Sequence, residues 1–336
     1  MKPETEQSLF EAFLNSHDDV AWSRVLDKLS AAIHPVDRTA VRIWFYFYPL
    51  GLLRLLRISN DEAETARKLQ LQGTYYLKDQ IDSSHWFLYG HRYWKQVKAA
   101  VCDRARSDAA PSSLDLAAQI SEIAKQLATT LRVEPSLLTA IVAIGLMTLQ
   151  QTRLEAFKAS PGKPGRIISK SPERLLKARS QNDSQGPLGF LRGDAKRFSV
   201  RFDERDPKDK FALINTQHLT TAAAQDKREF HQRDSRCVVG EGPIPVECRS
   251  ASCGTCWVGI LGGCDNLSPV QHLESRRIKE FGYIDTDESR PLIRLACQAQ
   301  ATGNVTIVIP PWNGVYGKHL KQDGAELEEE RTGSIP

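Results

Sequence analysis

The sequence lacks the features of a secreted or membrane-spanning protein. Its first residues contain no positively charged segment followed by an apolar run, so we expect no secretory signal. The two most apolar stretches, 41–56 and 137–149, are shorter than the roughly 20 residues that a spanning helix needs. Several of the seven cysteines lie within a few residues of one another, which is more typical of metal ligation than of a disulfide framework. We therefore expect a cytoplasmic protein, with association with a membrane surface left open as an alternative.

Motifs of nucleotide chemistry are also missing. The chain has no glycine-rich dinucleotide fingerprint and no P-loop, so nothing predicts that it is its own reductase. Its net charge of +4 over 336 residues is small, which gives little reason to expect nucleic acid as a partner. A composition of 41% hydrophobic and 26% charged residues is that of an ordinary folded protein. A chain of this length exceeds what one hydrophobic core usually serves, so we expect two domains.

Residues 1–158 are predicted to form an all-helical domain. Apolar residues recur every three or four positions after Ser113, a candidate N-cap, and predict a helix that ends near Leu131. A second helix is predicted over 137–157, and its start is apolar nearly all round, as in the central helix of a bundle. These residues resemble no family that we can name, and we expect the domain to dock a partner.

The composition changes after the predicted helical domain. Residues 159–195 are rich in Ser, Pro, Gly, Lys and Arg, and the stretch 158–197 holds ten Lys or Arg residues against three acidic ones. This composition predicts a basic flexible linker with a short helix over 172–179. A basic segment attracts nucleic acid, anionic lipid or an acidic protein, but without interleaved aromatic residues a solvated linker is the better interpretation.

From residue 196 the apolar pattern alternates with a period of two. Residues 198–202 and 211–213 alternate on either side of a polar turn and predict a β-hairpin, and 305–309 predicts another strand. Strands mixed with short helices indicate an α+β domain over 196–318. A polar tail, 319–336, follows it.

The most specific motif in the chain is C-x4-C-x2-C, formed by Cys248, Cys253 and Cys256. A fourth cysteine, Cys297, follows 41 residues later. Plant-type [2Fe-2S] centres use this spacing, because four thiolates must converge on two irons. Small residues between the first cysteines allow backbone N–H groups to point at the sulfur atoms. A structural zinc site is the alternative, but zinc favours two close cysteine pairs and Cys297 has no cysteine near it in sequence.

Two segments around these cysteines resemble [2Fe-2S] ferredoxins. The first, 244–256, reads IPVECRSASCGTC, and the second, 294–306, contains RLACQ followed by GNVT. The intervening Leu267-Ser268-Pro269 also resembles that family, and the likeness covers roughly 196–312. It implies a β-grasp fold and a one-electron carrier that has no substrate of its own.

The same resemblance implies that two of the cysteines bind one iron and two bind the other. Cys248 and Cys253 would hold the iron nearer the surface, which is then the port for electrons. Cys256 and Cys297 would hold the inner iron. Trp257, directly after Cys256, is expected to pack beside the cluster and to shield it from water.

The sequence departs from the family pattern at three points. Ala251 stands where the family more often has glycine, so the loop must avoid a positive φ there or accept some strain. The gap before the fourth cysteine is long, which indicates an insertion around 264–289. Acidic residues are few for a ferredoxin, which weakens the expectation of a standard ferredoxin reductase as partner.

The other cysteines are weaker candidates for chemistry. Cys237 and Cys264 are close in sequence to the motif, so either is a candidate substitute ligand or redox-active thiol. Small buried residues are the commoner outcome for such cysteines, and we favour that interpretation. Cys102 has no companion and is predicted to be inert.

Histidines in the first domain offer a second candidate site. His85 and His91 lie among five aromatic residues, and His34 is a candidate third member. They are candidates for binding a metal or haem or for forming a docking surface, but histidines satisfied within an aromatic core are the favoured interpretation.

The sequence therefore predicts a one-electron transfer protein that carries a [2Fe-2S] cluster and uses its helical domain to dock a redox partner, either a reductase or an acceptor enzyme. We expect no small-molecule substrate and no enzymatic site. Two alternatives remain. One is a ferredoxin-type subunit of a multi-component oxidoreductase with a second cofactor in the helical domain. The other is a redox sensor that changes partner binding with cluster state.

Overall fold

A computed structural model describes residues 8–107, 115–183, 197–281 and 288–314 of the chain. It divides into two compact units. The first contains Met1–Arg54 and Tyr76–Leu176, and the second contains Leu55–Tyr75 and Lys177–Pro336. This division differs from the predicted boundaries in two places: the helical unit extends beyond residue 158, and a segment from the N-terminal half belongs to the C-terminal unit.

The first half of the chain is helical, as predicted. Its helices are α1 (Leu9–Asn15), α2 (Asp19–Leu29), α3 (Pro35–Phe47), α4 (Leu50–Ile58), α5 (Glu62–Lys68), α6 (Trp94–Arg106), α7 (Leu116–Leu131) and α8 (Ser136–Ala159). Two 3-10 helices, Leu77–Gln80 and Tyr89–Tyr93, join α5 to α6, after a two-residue strand, β1 (Gln72–Gly73). Helix α4 runs across the division between the units, and α5 lies in the second.

Polar side chains fix the starts of these helices. Ser8 and Glu11 form a capping box at α1. The N-cap of α7 is Asp115, which accepts a hydrogen bond from the Ala117 N–H. The cap therefore lies two residues after the predicted Ser113, which is itself outside the described residues.

Helix α8 is the core of the helical unit. Its residues from Leu138 to Gln151 are buried, and α1, α3, α6 and α7 pack around it. By length and composition it is the one helix among the described residues that could cross a membrane, but 78% of its most apolar stretch is buried inside the protein. A helix that is apolar all round and buried in this way is typical of a bundle core.

The predicted flexible linker is in large part packed structure, which corrects the sequence interpretation. Ile168 and Leu175 are buried, and the backbone is tied down where Arg92 Nη2 donates to the Ile168 carbonyl at 2.7 Å. Helix α9 (Pro172–Asp183) is longer than predicted. Composition misled because the few apolar residues that anchor this segment are outnumbered by polar and charged ones. Residues 184–195 of the predicted linker lie outside the described part.

The C-terminal unit contains a mixed five-stranded sheet. Its strands are β2 (Arg197–Arg201), β3 (Lys210–Ile214), β5 (Trp257–Gly262), β6 (Ile293–Leu295) and β8 (Val305–Val308). Their spatial order is β3-β2-β8-β5-β6, with β2 and β8 parallel and every other pair antiparallel. The predicted hairpin is confirmed, since β2 and β3 pair with Val200 opposite Phe211. The chain is thus a mixed helix and sheet protein.

Smaller elements complete this unit. Strand β4 (Gln217–His218) pairs with β7 (Gln300–Ala301), and β1 pairs with β9 (Trp312–Asn313). Two helices also belong to this unit. Helix α10 (Leu219–Ala223) directly follows β4, and α11 (His272–Phe281) lies between β5 and β6 in the chain. The predicted polar tail, 319–336, lies outside the described residues.

Candidate metal centre

Strands β5 and β6 bring the two ends of the cysteine motif together. Cys256 immediately precedes β5, and Cys297 follows β6 by one residue. Because these strands are antiparallel and pair Trp257 with Leu295, both cysteines lie at the same end of the sheet. The Ala296 N–H donates to the Cys256 carbonyl at 2.9 Å, which extends the pairing to the cysteines themselves.

The four predicted ligands make two thiol–thiol contacts. The Cys248 and Cys253 side chains interact with each other, as do those of Cys256 and Cys297, and Cys253 also lies close enough to Cys256 to raise its pKa. The first pair is half-buried, whereas Cys256 and Cys297 are only 2% and 5% exposed. In the described part of the chain, no three His, Cys, Asp or Glu side chains converge closely enough to hold a metal ion.

Backbone N–H groups surround the sulfur of Cys248. The N–H groups of Ser250, Ser252 and Cys253 lie 3.4, 3.2 and 3.3 Å from its Sγ atom. A further N–H, from Thr255, donates to the Cys253 Sγ atom at 3.4 Å. Donors converging on sulfur stabilise negative charge there, as a thiolate or a metal-bound sulfur requires.

These contacts favour thiolate forms. Burial alone would raise the pKa of Cys248, but the Ser250 N–H and the Cys253 thiol outweigh it and lower the pKa to about 7. The pKa of Cys297 falls to about 6, first because the Cys256 thiol donates to it and then because the Gln298 amide does, against the effect of burial. The pKa of Cys256 is raised, since it keeps the proton that the pair shares.

The cysteine loop adopts an unusual backbone conformation. Arg249, Ala251 and Gly254 have φ angles of +55°, +61° and +71°. Ala251 therefore adopts a positive φ and is strained. The sequence allowed either this outcome or a loop that avoids a positive φ there. A left-handed conformation costs an L-residue about 1–2 kcal/mol. At Gly254 a β-carbon would lie 3.0 Å from the Phe281 ring, so a side chain there is excluded by packing as well as by conformation.

A buried ion pair that sequence reasoning missed supports the fourth cysteine. Arg294 and Glu274 have fully buried side chains and share two hydrogen bonds of 2.9 Å. Glu274 also accepts the Leu295 N–H at 2.8 Å, and Arg294 donates to the Ser268 carbonyl at 2.8 Å. The pair fastens α11 to β6 just before Cys297. Sequence reasoning missed it because the two residues are 20 positions apart and Glu274 sits in a charged helix, where an exposed carboxylate is expected.

Two buried tryptophans pack against each other next to the cysteine loop, since Trp257 directly follows Cys256. Trp257 is 1% exposed and meets Trp312 edge to face, with 6.1 Å between ring centroids. The next residue, Asn313, is also buried and donates from Nδ2 to the Thr255 carbonyl of the cysteine loop at 2.6 Å. Sequence reasoning did not single out Asn313, since its contact partner is 58 residues away.

The remaining cysteines are satisfied thiols. Cys237 donates to the Pro243 carbonyl at 3.5 Å, and burial raises its pKa to about 12. Cys264 donates to a backbone carbonyl at 3.2 Å, and burial raises its pKa and that of Cys102. Cys237 is buried, as the favoured interpretation predicts, whereas Cys264 is only partly buried.

The histidines of the helical unit also behave as core residues. The Nδ1 atoms of His85 and His91 are 2.8 Å apart, and the two side chains are 0% and 2% exposed. Trp94 packs on His85 with 4.1 Å between ring centroids. Burial holds the pKa of His85 well below its usual value, so this ring stays neutral. His34 instead caps α3, because its Nδ1 accepts a hydrogen bond from the Val36 N–H.

Comparison with known proteins does not assign the chain. No family model matches it, and no solved structure matches it. The function is therefore inferred from the residues and geometry of the thiol site. Four thiols in two pairs, with donors aimed at their sulfur atoms, can hold soft metal ions or a metal–sulfur group.

Proposed function

We propose that the protein is a one-electron carrier that holds a [2Fe-2S] cluster on Cys248, Cys253, Cys256 and Cys297. The observation that carries this proposal is the arrangement of the four thiols in two pairs, with backbone N–H groups directed at the outer sulfur atoms. The residues present suit such a group. All four side chains are soft sulfur ligands, and two of their pKa values are lowered toward the ligating thiolate form.

The spacing of the cysteines supports two metal atoms over one zinc ion. A cysteine zinc site typically uses two close cysteine pairs, and Cys297 has no cysteine near it in sequence. In a group with two irons each iron takes two cysteines, and the Cys248–Cys253 and Cys256–Cys297 contacts match that division.

Within this proposal the residues of the site hold the group and control its surroundings. When bound, the cluster supplies reversible uptake of one electron. Cys248 and Cys253 form the half-exposed edge, which is where a partner has access. Cys256 and Cys297 form the buried edge, where the Gln298 amide lies 3.4 Å from the Cys297 Sγ atom. The loop N–H groups offset negative charge as it increases on the sulfur atoms.

The C-terminal unit is proposed to be a β-grasp domain. Its mixed five-stranded sheet, with the first and last strands as parallel neighbours and α11 packed against β6, supports that assignment. We propose that the helical unit docks the carrier onto a reductase or an acceptor enzyme. The carrier would act in the cytoplasm, on a protein partner and on no small-molecule substrate of its own.

The alternative of a second cofactor in the helical unit rests on one observation, since the buried Nε2 atom of His85 has no hydrogen-bond partner among the described residues. The packing around it opposes that alternative. His85 and His91 are bonded to each other, and Trp94 covers one of the rings. Binding a metal or haem would require this pair to separate within a packed core.

Analysis of the metal content tests the proposed function. The protein is purified without oxygen, and its iron, acid-labile sulfide and zinc are measured together with the visible absorption spectrum. About two irons and two sulfides per chain are expected, because the four cysteines match a plant-type centre. Zinc bound without visible absorption would instead make the C-terminal unit a structural module.

A further inference from the structure

A segment from the N-terminal half of the chain forms part of the C-terminal unit. This arm, Leu55–Tyr75, ends in strand β1, which pairs antiparallel with β9. Gly73 lies opposite Trp312, and the Thr74 N–H donates to the Pro311 carbonyl at 2.9 Å. The arm is therefore joined by backbone hydrogen bonds to the end of the proposed cluster domain, some 240 residues later in the chain.

The contact between the arm and β9 is close on both strands. Gly73 has a φ of +74°, and a β-carbon there would lie 2.5 Å from the Pro311 carbonyl oxygen. On the other strand, a β-carbon on Gly314 would lie 2.5 Å from a Leu71 methyl group. Arg236 secures the same region, since its Nη2 donates to the Pro310 carbonyl at 2.6 Å. Only glycine permits this approach of the two strands.

Asn313 connects the paired strands β1 and β9 to the cysteine loop. Its backbone pairs with Gln72 of the arm, and its buried side chain donates from Nδ2 to the Thr255 carbonyl at 2.6 Å. Thr255 lies between Cys253 and Cys256, and its own N–H donates to the Cys253 Sγ atom. A chain of three successive contacts thus runs from the arm to a proposed iron ligand.

We propose that Asn313 is a positioning residue of the metal centre and that the arm Leu55–Tyr75 holds it in place. The cluster site is then completed by a segment that precedes the ferredoxin-like sequence by more than 100 residues. This inference rests on the proposed function, because it assigns a role to Asn313 at that same site. Loss of the amide would release the Thr255 carbonyl and loosen the loop that orients Cys253 and Cys256.

Release of iron from the full-length chain tests this inference. Wild type, Asn313→Ala, Gly73→Val and the control Asn266→Ala are loaded with the cluster, and loss of visible absorption is followed after addition of an iron chelator. Asn266 is a matched control, because it is also buried and donates from Nδ2 to a carbonyl, that of Asn304, at 2.9 Å. Melting temperatures and reduction midpoint potentials are measured on the same samples.

We expect Asn313→Ala to lose iron on the order of tenfold faster than wild type, the factor that corresponds to one net hydrogen bond. Its midpoint potential is expected to shift, and Gly73→Val is expected to change both quantities in the same direction. Asn266→Ala is expected to lower the melting temperature without changing the potential. Equal release rates in Asn313→Ala and wild type, or release that follows melting temperature alone in all variants, would overturn the inference. A wild-type chain that takes up no cluster would overturn the proposed function first.

Discussion

The cysteine loop and the buried histidine pair illustrate two ways in which a fold treats side chains that can bind metals. Both contain residues that the sequence marked as candidates. In the loop, N–H groups point at sulfur, the outer cysteines are half-exposed, and the backbone takes up positive φ angles. In the helical unit, His85 and His91 bond to each other inside a packed core.

The difference lies in access and in hydrogen-bond donors more than in protonation. At Cys248 and Cys297 the contacts lower the pKa and favour the thiolate, the form that binds a metal. At Cys237 burial favours the protonated thiol, which does not bind a metal. Burial keeps the His85 ring neutral, which is also a metal-binding form, but this ring is enclosed in the core and its Nδ1 is engaged by His91. The two sites are therefore tested with different substitutions and conditions.

The largest effect is expected when a proposed ligand is removed. Cys297→Ser should lose the cluster absorption or alter it strongly, because a serine hydroxyl replaces one of four thiolates. Cys264→Ser is the matched control, since its thiol is hydrogen-bonded to a carbonyl and lies in the same unit. Absorption spectra of the two purified variants provide the measurement. Equal loss in both variants would show that the site depends on general stability and not on ligation.

Breaking the buried ion pair should have the next largest effect. Arg294→Met leaves Glu274 charged and buried, which costs about 3–5 kcal/mol of unfolding free energy. Urea unfolding of the full chain measures it. Arg276→Met is the control: its partner Glu280 is on the same helix, but Arg276 is 67% exposed, so about 1 kcal/mol or less should be lost. Similar losses in the two variants would contradict the support assigned to this pair.

Acid should weaken the helical unit through His85. Burial lowers its folded-state pKa well below the unfolded value of 6.5, so below that pH only the unfolded chain takes up the proton. Stability is therefore complete above pH 6.5 and falls as pH decreases, by at most about 1.4 kcal/mol per pH unit for this group.

The change of unfolding free energy with pH is measured by urea unfolding at pH values from 7.5 to 5, followed by the helical circular dichroism signal. His85→Phe should reduce the slope, even though it also lowers stability at neutral pH by removing the hydrogen bond between His85 and His91. His17→Phe, which changes a histidine that is not fully buried, serves as control. An unchanged slope in His85→Phe would mean that other groups set the acid sensitivity.

The smallest effect concerns backbone strain in the loop. Ala251→Gly should stabilise the C-terminal unit by about 0.5–1 kcal/mol, because glycine accepts the φ of +61° without steric cost. Ala223→Gly in α10 is the opposite control and should cost about 1 kcal/mol. Thermal unfolding distinguishes the two. A destabilised Ala251→Gly would show that the methyl group contributes packing that outweighs its strain.

Local patterns in the sequence predicted a good part of this structure. Apolar residues at every third or fourth position predicted α7 and α8, and the alternation of apolar and polar residues predicted the β2–β3 hairpin. The spacing of the cysteines also selected the loop whose N–H groups point at the sulfur atoms of Cys248 and Cys253. Each of these signals depends on residues close to one another in sequence, where periodicity and spacing are informative.

Long-range contacts account for what the sequence did not predict. The arm joins β9 through backbone hydrogen bonds, and Glu274 pairs with Arg294 across 20 residues. The segment after residue 159 was taken for a flexible linker, because single buried residues such as Ile168 leave no period in a polar sequence. Asn313 was missed for the same reason, since its role depends only on a carbonyl 58 residues earlier.

Electron paramagnetic resonance before and after reduction tests the central claim most directly. The anaerobically purified full chain is recorded at low temperature, then reduced with dithionite and recorded again. A [2Fe-2S] centre on the four cysteines predicts no signal in the oxidised sample and a signal from one unpaired electron per chain after reduction. A sample with two irons per chain that stays silent on reduction, or one that holds only zinc, would contradict the account.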